Sequence, residues 1–145
     1  METGAQADPT LGGMTTASTG PTIVPTIRYA DARAALEFLT KAFSFSAGQI
    51  TEGEDGTVVH VELTYADGVV MLGSKAGGDS RFDTDRVCTY LVTDTPDALH
   101  DRALAAGAEI VMQLSDQDYG SREFAARDPE GNVWCFGTYR PIPAA

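Results

Sequence analysis

The chain is short of positive charge, nearly without cysteine, and lacks any long apolar run. Ten Lys and Arg stand against 21 Asp and Glu, a formal net charge of −11. A surface of that sign repels phosphate backbones, so nucleic-acid binding is not expected. Two cysteines, Cys88 and Cys135, are too few for a disulfide framework. No apolar run approaches the roughly 18 residues of a membrane-spanning helix. The N-terminus shows neither a basic n-region nor an apolar h-region, so no membrane partner is expected and a cytoplasmic location is.

What remains is an ordinary globular composition. At 145 residues, with 43% hydrophobic and 21% charged residues, the chain suits one domain that buries a core without staples. The acidity favours cationic partners, although solubility alone also accounts for it. Residues 1–21, "METGAQADPTLGGMTTASTGP", show neither period 2 nor period 3.6 and read as a disordered tail, within which Met14 is a candidate natural start. Residues 141–145 read as a second tail.

Between the tails a pattern occurs twice. "TIVPTIRYA" reads as a strand, and "DARAALEFLTKAF" as a helix capped by Asp31 with Leu36, Leu39 and Phe43 on one stripe. "SAGQITEG" and "TVVHVELTY" read as strands, and Asp67-Gly68 turns the chain into "VVMLGS". A polar linker, residues 75–86, follows. Then "VCTYLVT", the helix "DTPDALHDRALAAG" with Pro96 near its start and Gly107 at its stop, "AEIVMQLS", "REFAARD" and "VWCFGTY" repeat the order. Asp31 to Asp94, Ala35-Leu36 to Ala98-Leu99, and Asp67-Gly68 to Glu130-Gly131 all keep a step of 63, the mark of an internal duplication. The expected fold class is α+β: two tandem βαβββ modules, 22–74 and 87–140, forming curved mixed sheets around a cavity in one domain, 22–140.

Paired βαβββ modules resemble the vicinal oxygen chelate superfamily. "VPTIRYADARAALEFLTKAFSF" and "DYGSREFAARDPEGNVWCFGTYRP" are similar to its glyoxalase/bleomycin-resistance branch, particularly PhnB-like members. In metal-dependent members each module offers two ligands, one seven residues before the helix-capping Asp and one on the last strand. Carried over at a step of 63, these positions are Val24, Leu72, Val87 and Cys135. Three hydrocarbons and one thiol cannot supply the several O or N donors that Mg²⁺, Mn²⁺ or Ni²⁺ needs, so neither metal nor other cofactor is expected. "VELTYADG" resembles a ligand-bearing strand of glyoxalase I, which would make Glu62 a ligand, but it precedes the Asp67-Gly68 turn and falls on the wrong strand.

Strand alternation assigns the faces. Val59, Val61 and Leu63 are expected against the helices, leaving His60, Glu62 and Thr64 on the concave face. With Val24 and Val87 taken as cavity-facing, Thr26, Arg28, Thr89 and Leu91 follow, as do Val70, Leu72, Val133 and Cys135. Met71, Trp134, Phe136 and Cys88 are assigned to core and His100 to surface. Glu123 and Arg127 join the concave face, so Arg28, His60, Glu62, Glu123 and Arg127 are expected to converge over a greasy floor, with Tyr119 at the mouth.

Two functions compete. Resistance proteins of this branch form dimers that sequester a drug unchanged. The resemblance therefore implies a homodimeric, metal-independent protein of antibiotic-resistance type, binding a small molecule such as a cationic natural product. Its ligand-binding residues would be Thr26, Arg28, His60, Glu62, Leu72, Thr89, Tyr119, Glu123, Arg127 and Cys135. The alternative is a glyoxalase-like isomerase, lyase or cyclase using His60 with Glu62 or Glu123 as acid and base. The balance leans to a non-enzymatic binder.

Overall fold

The computed structural model describes residues 20–144; residues 1–19, which hold most of the expected N-terminal tail and Met14, and Ala145 lie outside the described residues. Strand β1 (Thr26–Tyr29) leads into helix α1 (Ala32–Phe43), whose first turn is closed by the Asp31 carboxylate accepting from the Ala34 amide at 3.1 Å. Ser44 ends the helix in the left-handed region, at φ 66°. Short strands β2 (Ser46–Ala47) and β3 (Thr51–Glu52) precede β4 (Val58–Tyr65) and β5 (Gly68–Ser74). The second module runs β6 (Cys88–Val92), α2 (Pro96–Ala105), β7 (Glu109–Asp116), β8 (Arg122–Arg127) and β9 (Val133–Gly137).

The first sheet has the order β1-β5-β4-β2 with β3 also on β4, and the second β6-β9-β8-β7. In each, the module's first strand is an edge strand lying parallel to its last, and the other pairs are antiparallel. This is the expected α+β architecture. Both sheets turn one face to a single shared core, where Phe43 meets Trp134 and Phe136 at ring separations of 6.0 and 4.9 Å. The helix-facing set alternates as strands require: Ile27 and Tyr29, Val61 and Leu63, Val70 and Leu72, Phe124 and Ala126, Trp134 and Phe136 are all buried. Each sheet's other, concave face looks outward.

A carboxylate locks the modules together. Asp128 is 3% exposed and accepts from Tyr29 Oη at 2.6 Å, Trp134 Nε1 at 3.1 Å, Asn132 Nδ2 at 3.2 Å, and the Glu130 and Asn132 amides at 3.0 and 3.1 Å. Burial, followed by the contact with Asp128, pushes the Tyr29 phenol far above its ordinary range, so it stays a donor. Glu130 adds a second clasp, accepting from the Ala30 and Asp31 amides at 2.8 Å each, beside the start of α1.

The repeat is real, but its step differs from 63 through much of the module. The helix caps are Asp31 and Thr95, not Asp94, and α2 has no side-chain cap bond. The buried pairs Ala35/Leu99 and Leu39/Ala103 likewise stand 64 apart. In the third strand of each module Val61/Phe124 and Leu63/Ala126 keep 63. Glu62 pairs with Met71, nine positions on, whereas Ala125 pairs with Cys135, ten on. One extra residue in the β8–β9 connection moves the last strand by one, and a shift of one flips every side chain.

That flip corrects several face assignments. Leu72 and Val70 lie in the core, and Met71 takes the concave side beside Thr26. In β6, Leu91 is buried and Val87 packs on the core, so Thr89, which pairs with Trp134, also turns inward. Cys88, expected in the core, is exposed on the concave face. Val59 is 59% exposed because a register shift against β3 gives its core place to Val58. His100, expected at the surface, is half-buried, with its ring edge-on to Phe124 at 5.3 Å.

Candidate functional site

The five polar residues expected to converge do not. They divide between two outward faces on different sheets. On the first, Thr26 is exposed and His60 Nε2 sits 3.2 Å from Glu62 Oε2, with side chains 40% and 57% exposed. Arg28 is turned toward the linker: its amide donates to Thr84 Oγ1 at 2.9 Å, and its guanidinium lies 3.6 Å from Asp83 and 3.4 Å from the Ser74 carbonyl. The Ala76 and Gly77 amides, donating to Asp83, hold that carboxyl below its usual range, so it is a fixed charge over Arg28. Arg28 is thus committed to the linker.

The second sheet is where a site is built. Glu123, Ala125 and Arg127 alternate onto the concave face of β8, with Cys135 and Gly137 beside them on β9 and Cys88 and Tyr90 beyond on β6. Arg127 stands at the far end of β8 and donates to Glu109 at 3.0 Å on the wall of a separate cleft of about 770 Å³. Glu123 anchors the near end. It is 8% exposed, and Tyr119 Oη donates to its Oε1 at 2.7 Å while Tyr90 Oη lies 3.4 Å from its Oε2. Tyr90 also donates to the Tyr139 carbonyl at 2.8 Å.

Local structure explains the convergence. The Gln117 amide donates to the Ser121 carbonyl and the Gly120 amide to Gln117, a tight turn that needs Gly120 at φ 89° and folds Tyr119 back over β8. Buried Ser121 accepts from the Tyr139 amide at 2.9 Å and so draws the segment after β9 against the same turn. The rings of Tyr119 and Tyr139 then meet edge to face, 6.2 Å apart at 85°. Gly137 leaves the gap in which Glu123 and Tyr90 meet: a Cβ there would lie 2.5 Å from Glu123 Cγ and 2.6 Å from Tyr90 Oη. The hydrogen bond to Glu123, then burial, pushes the Tyr119 phenol up to about 12, and burial foremost raises Tyr90. Both phenols therefore stay protonated, Tyr119 donating to the carboxylate while the one proton of Tyr90 is directed at the nearer Tyr139 carbonyl.

Tyr90 and Tyr139 are the residues that sequence reasoning missed. Tyr90 alternates with Cys88, so the correct helix cap would have placed it on this face. Nothing local in the sequence announces Tyr139.

Beside Glu123, Cys88 Sγ and Cys135 Sγ stand 3.8 Å apart as free thiols. Burial, followed by the contact with Cys88, raises Cys135 to about 11. At pH 7 only about one Cys135 in ten thousand is then thiolate, so it is a poor nucleophile. Iodoacetamide labelling of Cys135, followed by peptide mass spectrometry, is expected to quicken roughly tenfold per pH unit between pH 7 and 10. A pH-independent rate would contradict that environment.

The observed caps also revise the positions at which metal-dependent members of the resembled superfamily carry ligands. Seven residues before Asp31 is Val24, and seven before Thr95 is Cys88. The last-strand positions are Cys135 and, through the shared pairing, Met71. A valine, a thioether and two thiols offer no oxygen or nitrogen donor to a hard divalent ion. Among the described residues no group of three or more His, Cys, Asp or Glu is placed to hold a metal. The donor set does not fit the family's metal.

Thr89 lines a third feature, a cleft of about 250 Å³ at the seam between the modules, with Phe45, Tyr65, Val70 and Leu91. No described helix is long and apolar enough to cross a membrane.

Comparison with known proteins agrees with the fold. The sequence profile of the Glyoxalase/Bleomycin resistance protein/Dioxygenase superfamily matches residues 22–136. An uncharacterized protein of Mycobacterium tuberculosis is 34% identical over 125 residues, 81% of this chain and 74% of that protein. The crystal structure of TioX from Micromonospora sp. ML1 superposes with a TM-score of 0.66 at 28% identity, covering 81% of this chain and 98% of TioX. A glyoxalase I mutant from Zea mays superposes at 0.65 with 16% identity, covering 83% of this chain and 46% of that one, a likeness of fold alone.

Proposed function

The chain belongs to the glyoxalase/bleomycin resistance protein/dioxygenase superfamily, and from that membership we propose that it binds and sequesters a small organic molecule without a metal. The observation that carries this reading is the concave face of the second sheet. It holds a buried carboxylate, Glu123, framed by Tyr90, Tyr119 and Tyr139, while the metal positions hold Val24, Met71, Cys88 and Cys135. A partly apolar surface with one oriented polar group suits recognition of a whole molecule.

In this reading the protein works as a homodimer, because each concave face is open in a single chain and a second copy would supply the opposing wall. Resistance proteins of the family sequester their drugs in this way, and the same role is proposed here. Ligand capture would use Glu123, Tyr119 and Cys135 on one wall, with Thr26, His60 and Glu62 available to the other.

Catalysis by His60 is the second reading. The 3.2 Å contact with Glu62 favours it, since a carboxylate that orients an imidazole is the geometry of a general base. Against it stand the exposure of both side chains and the placement of Glu123 on the other sheet.

Native mass spectrometry of chelator-treated protein, incubated with a panel of DNA-damaging natural products, separates the readings. The expected result is a dimer that retains one compound at unchanged mass and does so equally well after chelation. A compound released with altered mass, or retention abolished by the chelator, would contradict sequestration.

A further inference from the structure

Glu123 is a buried carboxylate with no counter-ion among the described residues. Arg28, Arg33, Arg122 and Arg127 pair with other acids, and among the described residues no Lys, Arg or His forms an ion pair with Glu123. Among the described residues its side-chain polar partners are two phenols, Tyr119 at 2.7 Å and Tyr90 at 3.4 Å. A carboxylate so enclosed is desolvated without an opposite charge, an arrangement that disfavours the empty state and favours the arrival of a cation.

The surroundings say which cation. Tyr119 and Tyr139 stand nearly perpendicular, 85° apart, 64% and 52% exposed, so their rings form an open corner beside the acid. Tyr90, 37% exposed, adds a third ring on the sheet. Aromatic faces carry negative potential and attract a diffuse, weakly hydrated cation, above all one whose charge is spread over methyl groups. A small metal ion would want several oxygen donors, which three phenol rings and one carboxylate already bonded to two of them do not provide. The net charge of −11 would draw a cation toward this face.

We propose that Glu123 with Tyr90, Tyr119 and Tyr139 forms an ammonium-binding notch that takes the methylated or substituted amine of an organic ligand. This rests on the binding role proposed above and names the group that the second sheet recognises. Glu123 neutralises the charge, and the Tyr119–Tyr139 corner contacts its methyl or methylene groups. Gly137 keeps the gap open, and the Gly120 turn holds Tyr119 in place.

Choline and 3,3-dimethylbutan-1-ol test it, being one shape with and without the positive charge. Each is titrated into the isotopically labelled full-length protein and followed by amide chemical shifts. Choline is expected to give saturable shifts in β8, β9 and residues 117–121, and to bind at least roughly tenfold more tightly than the neutral alcohol. In Glu123→Gln the two probes should become equal. Tyr119→Phe, which keeps the ring and loses the hydroxyl, should retain most of the preference, and Tyr119→Leu should lose it. Equal affinity in the unaltered protein, absence of a saturable shift at the notch, or an unchanged preference in Glu123→Gln would overturn the assignment. The two proposals fail separately. A neutral compound retained in the mass spectrometer while choline fails leaves sequestration standing and removes the notch. Choline seated at Glu123 with no natural product retained does the reverse.

Discussion

Replacing Asp128 by Ala is expected to lower stability by about 3–5 kcal/mol, the largest loss foreseen for any single polar side chain here. The reason lies in the donors left behind. Tyr29 Oη and Trp134 Nε1 are fully buried, and both donate to this carboxylate in the core between the modules. The Asn132 side chain and two backbone amides of the turn point at it as well. Removing the acceptor orphans several buried groups at once, and each carries its own desolvation penalty. For a domain of this size the midpoint of thermal unfolding should fall by on the order of 10 °C. Asp128→Asn, which keeps the volume and one acceptor oxygen, should lose clearly less. A loss below about 1 kcal/mol for the alanine variant, by urea unfolding, would show that the node is not what joins the modules.

The second large effect is expected at Gly137. It needs no special backbone angle; its role is to have no side chain. A methyl group there would meet Glu123 Cγ at 2.5 Å and Tyr90 Oη at 2.6 Å, well inside van der Waals contact. Relief requires moving the carboxylate, the phenol or both, and overpacking of this kind costs about 1–3 kcal/mol. The larger consequence falls on the site. Displacing Tyr90 breaks its bond to the Tyr139 carbonyl, and displacing Glu123 breaks its bond to Tyr119. Gly137→Ala is therefore expected to fold, with a lowered melting midpoint, and to weaken ligand retention by at least roughly tenfold. Retention at the level of the unaltered protein would mean that the ligand sits elsewhere.

Much of the fold was legible in the sequence because its signals were local. The Asp31 cap, the Leu39 and Phe43 stripe, the Asp67-Gly68 turn and the Gly107 stop each act within a few residues, and the structure places them as expected. The concave placement of His60 and Glu62 followed from alternation along one strand, that of Glu123 and Arg127 from the step of 63, which the third strands keep, and that of Cys135 from the family resemblance. Faces failed where that step was carried beyond the third strands, to the helix caps and last strands that stand 64 apart. Asp94 resembles Asp31 by letter, yet Thr95 occupies the cap without a side-chain cap bond, and its one signal in the sequence is Pro96 at the first helical position. Glu130-Gly131 resembles Asp67-Gly68, yet the connection it belongs to is one residue longer. Those two near-matches moved Leu72, Thr89, Val87 and Leu91 to the wrong face and hid Cys88.

Convergence failed for a different reason. Alternation says which side of a sheet a residue occupies, but not which side of the molecule that sheet faces. Arg28, His60 and Glu62 share a face with one another and not with Glu123, because the two sheets turn their helix sides to a common core. Tyr139 reaches Tyr119 through Ser121, a contact between loops that only the folded chain brings together.

The central claim is that an intact ligand sits over Glu123 on the second sheet. Isotope-filtered NMR on the complex with whichever compound the protein retains measures this directly, through proton contacts between ligand and protein. Contacts with the rings of Tyr90, Tyr119 and Tyr139 are the predicted result. Contacts confined to His60, Met71 and Thr26, or to the cleft beside Arg127, would contradict it.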